Sequence, residues 1–263
     1  MKKTNKFLDL AEKKNTEKKT EKFDGTLAEY LSIVESNKEI TVLSHRRLYD
    51  MIVSEGITRM SKEDARCANL FGGESVRTYD YFQSKFFGME RSLAKVMRYL
   101  HSAAMRGEES RQVLLLLGPV GAGKSALVEH IKRALESVPS FYQIKGCPIQ
   151  EEPLHLIPRS LRDKFKDIYG ISIEGDLCPV CRHRLLHEHD GDYVNYPVVE
   201  STFSVRGRRG IGVVPPMDAN TQDTSILIGS EDISKMDLYA EDDPRVLSLN
   251  GAFNVGNRGI VEF

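Results

Sequence analysis

Long apolar runs are missing from this 263-residue chain: the longest, Val113–Leu117, falls far short of the ~20 residues a membrane helix needs. An excess of charge of one sign is missing too. Thirty-seven basic residues face 38 acidic ones for a net charge of −1. No global field therefore draws the chain to nucleic acid or to an anionic membrane, and neither is expected as a partner. A local basic patch is left open around Arg206, Arg208 and Arg209. Four cysteines are too few for a disulfide framework in a chain of this size. The lysine-rich N-terminus lacks the apolar segment of a signal peptide, and the expected location is cytoplasmic. An Asn-Lys-x-Asp guanine reader is absent, as are the His-Arg-Asp and Asp-Phe-Gly signatures of protein kinases.

What is present is one strong motif, Gly118-Pro119-Val120-Gly121-Ala122-Gly123-Lys124-Ser125, which meets the spacing G-x-x-x-x-G-K-S in full. Its glycines allow backbone dihedrals and close approaches that side chains forbid, so loop amides can converge on phosphate oxygens. Lys124 supplies a point charge to the outer phosphates and is the residue expected to contribute most to chemistry. Ser125 offers a hydroxyl to Mg2+. The apolar run Val113–Leu117 predicts a strand before the loop, and Leu127, Ile131 and Leu135 predict a helix after it. That order is the context a phosphate-binding loop requires.

Upstream, Thr26 and Glu29 have the spacing of a capping box, with Leu27, Tyr30, Leu31 and Val34 on one helical face. A second helix is predicted from Ser44, stopped by Gly56, and a third through Leu93, Val96, Met97 and Leu100. Residues 58–79 read as irregular, and the chain reads as loop-rich from Pro139 to about 215. Gln222–Ile233 offers the short apolar run Ile226-Leu227-Ile228. The expected division is a charged, flexible lead-in over 1–22, a helical region over 23–80 and an ATP-binding domain over 81–263. Within the last, about 145–215 form an insertion, because the 134 residues between Lys124 and Gly259 exceed what a compact nucleotide core needs. An insertion is a natural place for recognition of a protein partner.

Cys178-Pro179-Val180-Cys181 is half of a tetrahedral zinc site, with Cys147 and His183 as further candidate ligands. An unmetallated turn and a redox pair are the other readings of the same spacing. His187 and His189 read as surface residues.

Phe87-Gly88-Met89-Glu90, 28 residues before Gly118, resembles the adenine-side element of AAA+ ATPases, where the backbone at Gly88 would meet the base. Residues 251–263 resemble the approach to the second metal-binding strand of that class, whose acids would then lie beyond Phe263; on this reading the chain is a fragment, and Glu262 precedes those acids. The expected fold is thus α/β, a P-loop NTPase of AAA+ type with a parallel sheet flanked by helices, a helical N-terminal extension and a long insertion.

Taken with Phe23–Leu31, Ser44–Ile52, Lys145–Pro148, Glu152–Pro158, Asn220–Asp223, Asp242–Pro244 and Gly256–Gly259, these segments resemble the PrkA family of bacterial serine protein kinases from about residue 23 onward. The resemblance implies ATP, magnesium, a role in stress or sporulation, a protein substrate and a homo-oligomeric full-length protein. Kinase activity is carried by the family name alone. A Lon-like ATP-dependent protease module and a nucleotide-gated interaction module are the alternatives.

Overall fold

The computed structural model describes residues 22–215, 224–240 and 243–263. The expected lead-in, except for Lys22, lies outside them, as do Asn220–Asp223 and Asp242.

The chain enters through β1 (Asp24–Thr26) and α1 (Leu27–Ser36). The capping box forms as the spacing predicts: the Glu29 N–H donates to Thr26 Oγ1, and the Thr26 N–H donates to Glu29 Oε2 at 2.8 Å. This satisfies two amides that a helix start leaves without partners. Leu27, Tyr30 and Val34 are buried along one face of α1. Next come α2 (Ser44–Ser54), β2 (Ile57–Arg59), α3 (Ala65–Phe71), β3 (Arg77–Tyr79), α4 (Asp80–Gln83) and α5 (Glu90–Ala104). The helix that follows the glycine loop is α6 (Lys124–Ser137). Beyond it are β4 (Phe141–Ile144), α7 (Arg159–Tyr169), α8 (Pro179–His187), β5 (Pro197–Ser201) and β6 (Ile211–Val213). The last described elements are α9 (Ser225–Ile228), β7 (Ser230–Glu231), α10 (Ile233–Met236), β8 (Leu247–Ser248), α11 (Ala252–Val255) and β9 (Ile260–Glu262).

Two main cores result. In the first, α2 packs on α5 and α6, joining Leu48 and Ile52 to Leu93, Met97 and Leu100 and to Leu127 and Ile131. Elements on both sides of residue 80 therefore share one core. The second lies under an antiparallel sheet of order β1-β5-β4, in which Asp24 is opposite Val199 and Ile144 opposite Val198. Leu27 and Tyr30 of α1 meet Ile144, Leu154, Phe165, Cys181 and Tyr196 there. The N-terminal region is thus split between the two cores, and β1 is an edge strand of the sheet that β4 and β5 complete.

Several expectations need correction. Among the described residues only β6 and β9 pair in parallel, with Ile211 opposite Ile260, in place of the expected parallel sheet. Val113–Leu117 forms no strand. A strand needs a neighbour to accept and donate its ladder bonds. None of the described strands lies alongside this segment, and only Leu116 packs on the α2–α5–α6 core. Residues 58–79 are not irregular: β2 and β3 form an antiparallel pair around α3, which ends on Gly72 in the left-handed region. Strands of three residues are too short to show a period in sequence. The stretch 139–215 is likewise well built. Its helix α7 buries Phe165 alone among its residues, which is why no apolar stripe announced it.

Candidate nucleotide-binding site

The loop 118–125 ends in Gly123, whose φ of 79° turns the chain into α6; Gly121 has φ 81°. Both dihedrals lie where a Cβ is costly, so the glycines are needed for the path of the loop. No side chain caps α6, whose first-turn amides and positive dipole end are left to face the loop. The Lys124 ammonium donates to the Gly118 carbonyl at 2.8 Å and to the Pro119 carbonyl at 2.7 Å. This draws the only cation of the motif back over the loop it belongs to.

The upstream element stands close by. Gly88 has φ 74°, and Met89 packs so near the loop that a Cβ on Gly123 would stand 3.4 Å from the Met89 sulfur. The structure thus brings Phe87–Glu90 and the glycine loop together, although 28 residues separate Glu90 from Gly118 in sequence. Phe87 is exposed beside them, whereas Glu90 is buried and pairs with Arg66 at 3.2 Å. Contact through Met89 is a feature sequence reasoning missed, because the resemblance pointed to the backbone at Gly88 alone.

Glu262 lies on β9 and accepts from Lys132 at 2.6 Å. Lys132 is buried and also pairs with Glu129. Eight residues of α6 separate Lys132 from Lys124, about 12 Å along the axis. The carboxylate is therefore held on the middle of the helix and not at the end that meets the glycine loop.

The neighbouring Gly256–Gly259 segment is tied to residues 142–152. Asn257 donates to the Ile149 carbonyl at 2.7 Å. Arg258, at φ 69°, donates to the Tyr142 carbonyl at 2.8 Å and pairs with Glu152 at 2.5 Å. Tyr30 donates to the same Glu152 at 2.7 Å, and burial together with that carboxylate pushes its phenol well up. Burial, with Arg258 nearby, lowers the Arg47 guanidinium to about 10. A cleft of about 770 Å3 opens beside Arg258, Glu152 and His155, away from the glycine loop.

The cysteine candidates divide. Cys147, Cys178 and Cys181 converge with Glu151, all four buried, with one ligand atom of each within 4.8 Å of every other. Hydrogen bonding among the three thiols holds Cys147 low and pushes Cys178 and Cys181 up. Burial raises the Glu151 carboxyl. His183 is not part of the group: its ring lies against that of His187, tilted by 38° with centroids 4.3 Å apart. Glu151 takes the fourth place, and the equal spacing Cys147–Glu151–His155 was the signal that could have found it. In the basic stretch, Arg208 and Arg209 are spent on the carbonyls of Asn250 and Thr202.

The family model for the PrkA AAA domain matches residues 25–263. The chain is 39% identical to a Bacillus subtilis protein named ATP-dependent protease PrkA, over 98% of this chain and 40% of that protein. It is 32% identical to an Escherichia coli K12 protein named serine/threonine kinase YeaG, over 90% of this chain and 38% of that one. A third relative, an uncharacterized protein of Geobacillus stearothermophilus, is 28% identical over 35% of this chain. The chain spans about two fifths of the length of the first two. No solved structure matches it. No helix among the described residues is long and apolar enough to cross a membrane.

Proposed function

Because the chain belongs to the PrkA AAA domain family, we propose that it is an ATP-binding module that holds Mg-ATP on Gly118–Ser125. The observation that carries this reading is the joint geometry of the loop: two left-handed glycines, an uncapped fourteen-residue helix behind them and Lys124 folded over the same turn. In this reading the amides of the loop and of the α6 start take the phosphate oxygens. Lys124 leaves the Gly118 and Pro119 carbonyls for the outer phosphates, and Ser125 supplies a ligand to magnesium. Gly88 and Met89 line the base side. Magnesium, when bound, draws negative charge off the phosphates.

The printed names of the two long relatives differ in output, protease for one and kinase for the other. We take the module to serve a protein substrate within a homo-oligomer of the full-length protein. With Glu262 held by Lys132, slow turnover is expected of this chain by itself.

Titration with a fluorescent ATP analogue in the presence of magnesium tests the reading. Lys124→Ala should weaken binding at least a hundredfold, and equal affinity in the two proteins would overturn the proposal. Incubation with γ-labelled ATP then separates the outputs, as free phosphate for an ATPase, label on serine for a kinase, and binding alone for a gated module.

A further inference from the structure

The insertion carries a second site that nucleotide binding does not use. Cys147 follows Gly146, whose φ of 70° turns the chain after β4; the short loop is closed by a 3.0 Å bond from the Ile144 N–H to the Glu151 carbonyl. Gln150 beside it also has a positive φ, 53°, a costly conformation for a residue with a side chain. The loop is thereby bent so that Cys147 and Glu151 face the start of α8, where Cys178 and Cys181 sit on either side of Pro179-Val180.

Two of the spacings among the four groups are close to the edges of a coordination tetrahedron, and all lie within 4.8 Å. Cys147 Sγ and Cys178 Sγ are 4.0 Å apart. A disulfide needs about 2.05 Å. A tetrahedral zinc ion with Zn–S bonds of about 2.3 Å places two sulfurs about 3.8 Å apart. Cys147 Sγ to Glu151 Oε2 is 3.7 Å, against about 3.5 Å for the sulfur–oxygen edge of the same tetrahedron. The outer contacts suit thiolate and carboxylate ligands. The Cys181 N–H points at Cys178 Sγ at 3.3 Å. Glu151 Oε1 accepts from the Cys178 N–H at 2.7 Å and faces His155 Nδ1 at 3.3 Å, which leaves Oε2 on the sulfur side. His155 is fixed in turn by the Glu174 carbonyl at 2.7 Å. A carboxylate only 1% exposed among three thiols is unfavourable unless a cation compensates it.

We propose that Cys147, Cys178, Cys181 and Glu151 bind one zinc ion, which fastens the loop after β4 to the start of α8. It is a closed four-ligand site, with His155 as the positioning residue behind Glu151. Binding releases to solvent the protons that the thiols still carry, and nothing is oxidised or reduced.

The chain, produced in zinc-supplemented medium and dialysed, is expected to retain about one zinc per molecule by elemental analysis. Cobalt in its place should give a thiolate-to-metal charge-transfer band in the near ultraviolet. Glu151→Gln should lower zinc affinity at least tenfold with the band retained. His155→Gln should lower affinity by about tenfold or more with the thiolates still ligating. Cys178→Ser with Cys181→Ser should remove the metal. Should that double variant fail to fold, titration of the unaltered protein with a mercurial answers the same question, because zinc is then released in step with thiol loss. Less than a tenth of an equivalent of zinc, equal zinc in the double variant, or a Cys147–Cys178 or Cys178–Cys181 disulfide in the purified protein would overturn the proposal.

Discussion

The stretch 113–120, which leads into the glycine motif, and the segment 141–201 downstream are built in opposite ways. Val113 to Val120 runs through Leu115 and Leu117 with its apolar side chains largely in solvent, Leu117 at 84% exposure. The segment 141–201 instead closes over Ile144, Phe165, Tyr196 and Val198, with Glu152 neutralised by Arg258 and capped by Tyr30. A phosphate-binding loop must leave its amides free for a ligand, so little of its order comes from its own contacts. The segment 141–201 holds no such open loop and commits most of its buried charge within the fold, as Glu152 with Arg258 and Tyr30 shows. The lesson is that the most recognisable motif and the best-packed region need not coincide.

The comparison can be broken first in the insertion. Arg258→Ala strands Glu152 in a site where both side chains are mostly buried, and a loss of about 3–5 kcal/mol is expected in urea unfolding. A smaller loss would mean that the pair is hydrated and the contrast overstated. Ile144→Ala should cost about 2–5 kcal/mol for its cavity, while Leu115→Ala on the open stretch should stay within about 0.5 kcal/mol. Equal costs for the two would erase the distinction. Gly123→Ala forces a side chain into the left-handed region beside Met89, with a cost of about 1–2 kcal/mol and weaker ATP binding as the readout.

The smallest effect concerns pH at the start of α3. Hydrogen bonds from Arg66 hold the Asp64 carboxyl below the ordinary carboxylate range. The folded value is depressed, so its contribution is present above about pH 4 and is lost as pH falls further. Asp64→Asn should remove that dependence, seen as acid-side hydrogen exchange of 64–71, with the insertion unaffected.

The helices were legible wherever local signals agreed. Thr26 with Glu29 marked a start that formed as written, and Leu93, Val96, Met97 and Leu100 marked a face that is buried. The glycine loop and its helix were legible because backbone freedom and charge must fall at fixed spacing. What stayed hidden depends on distant partners. Val113–Leu117 has the composition of a buried strand, yet pairing is decided by neighbours that composition does not name. Glu151 sits in an acidic dipeptide, and its spacing of four from both Cys147 and His155 is a weak signal until the fold sets it opposite Cys178. His183, a candidate ligand along with Cys147, lies two residues from Cys181, but the α8 helix turns it away toward His187. Sequence proximity misled where spatial proximity ruled.

The central claim is that nucleotide binds at the open loop and leaves the insertion core as it is. Hydrogen–deuterium exchange of the chain with and without Mg-ATP tests this most directly. The account predicts protection confined to about 118–128, with a weaker effect at 87–90, and no change over 141–152 or 178–201. Protection in the insertion, with the loop unchanged, would contradict it.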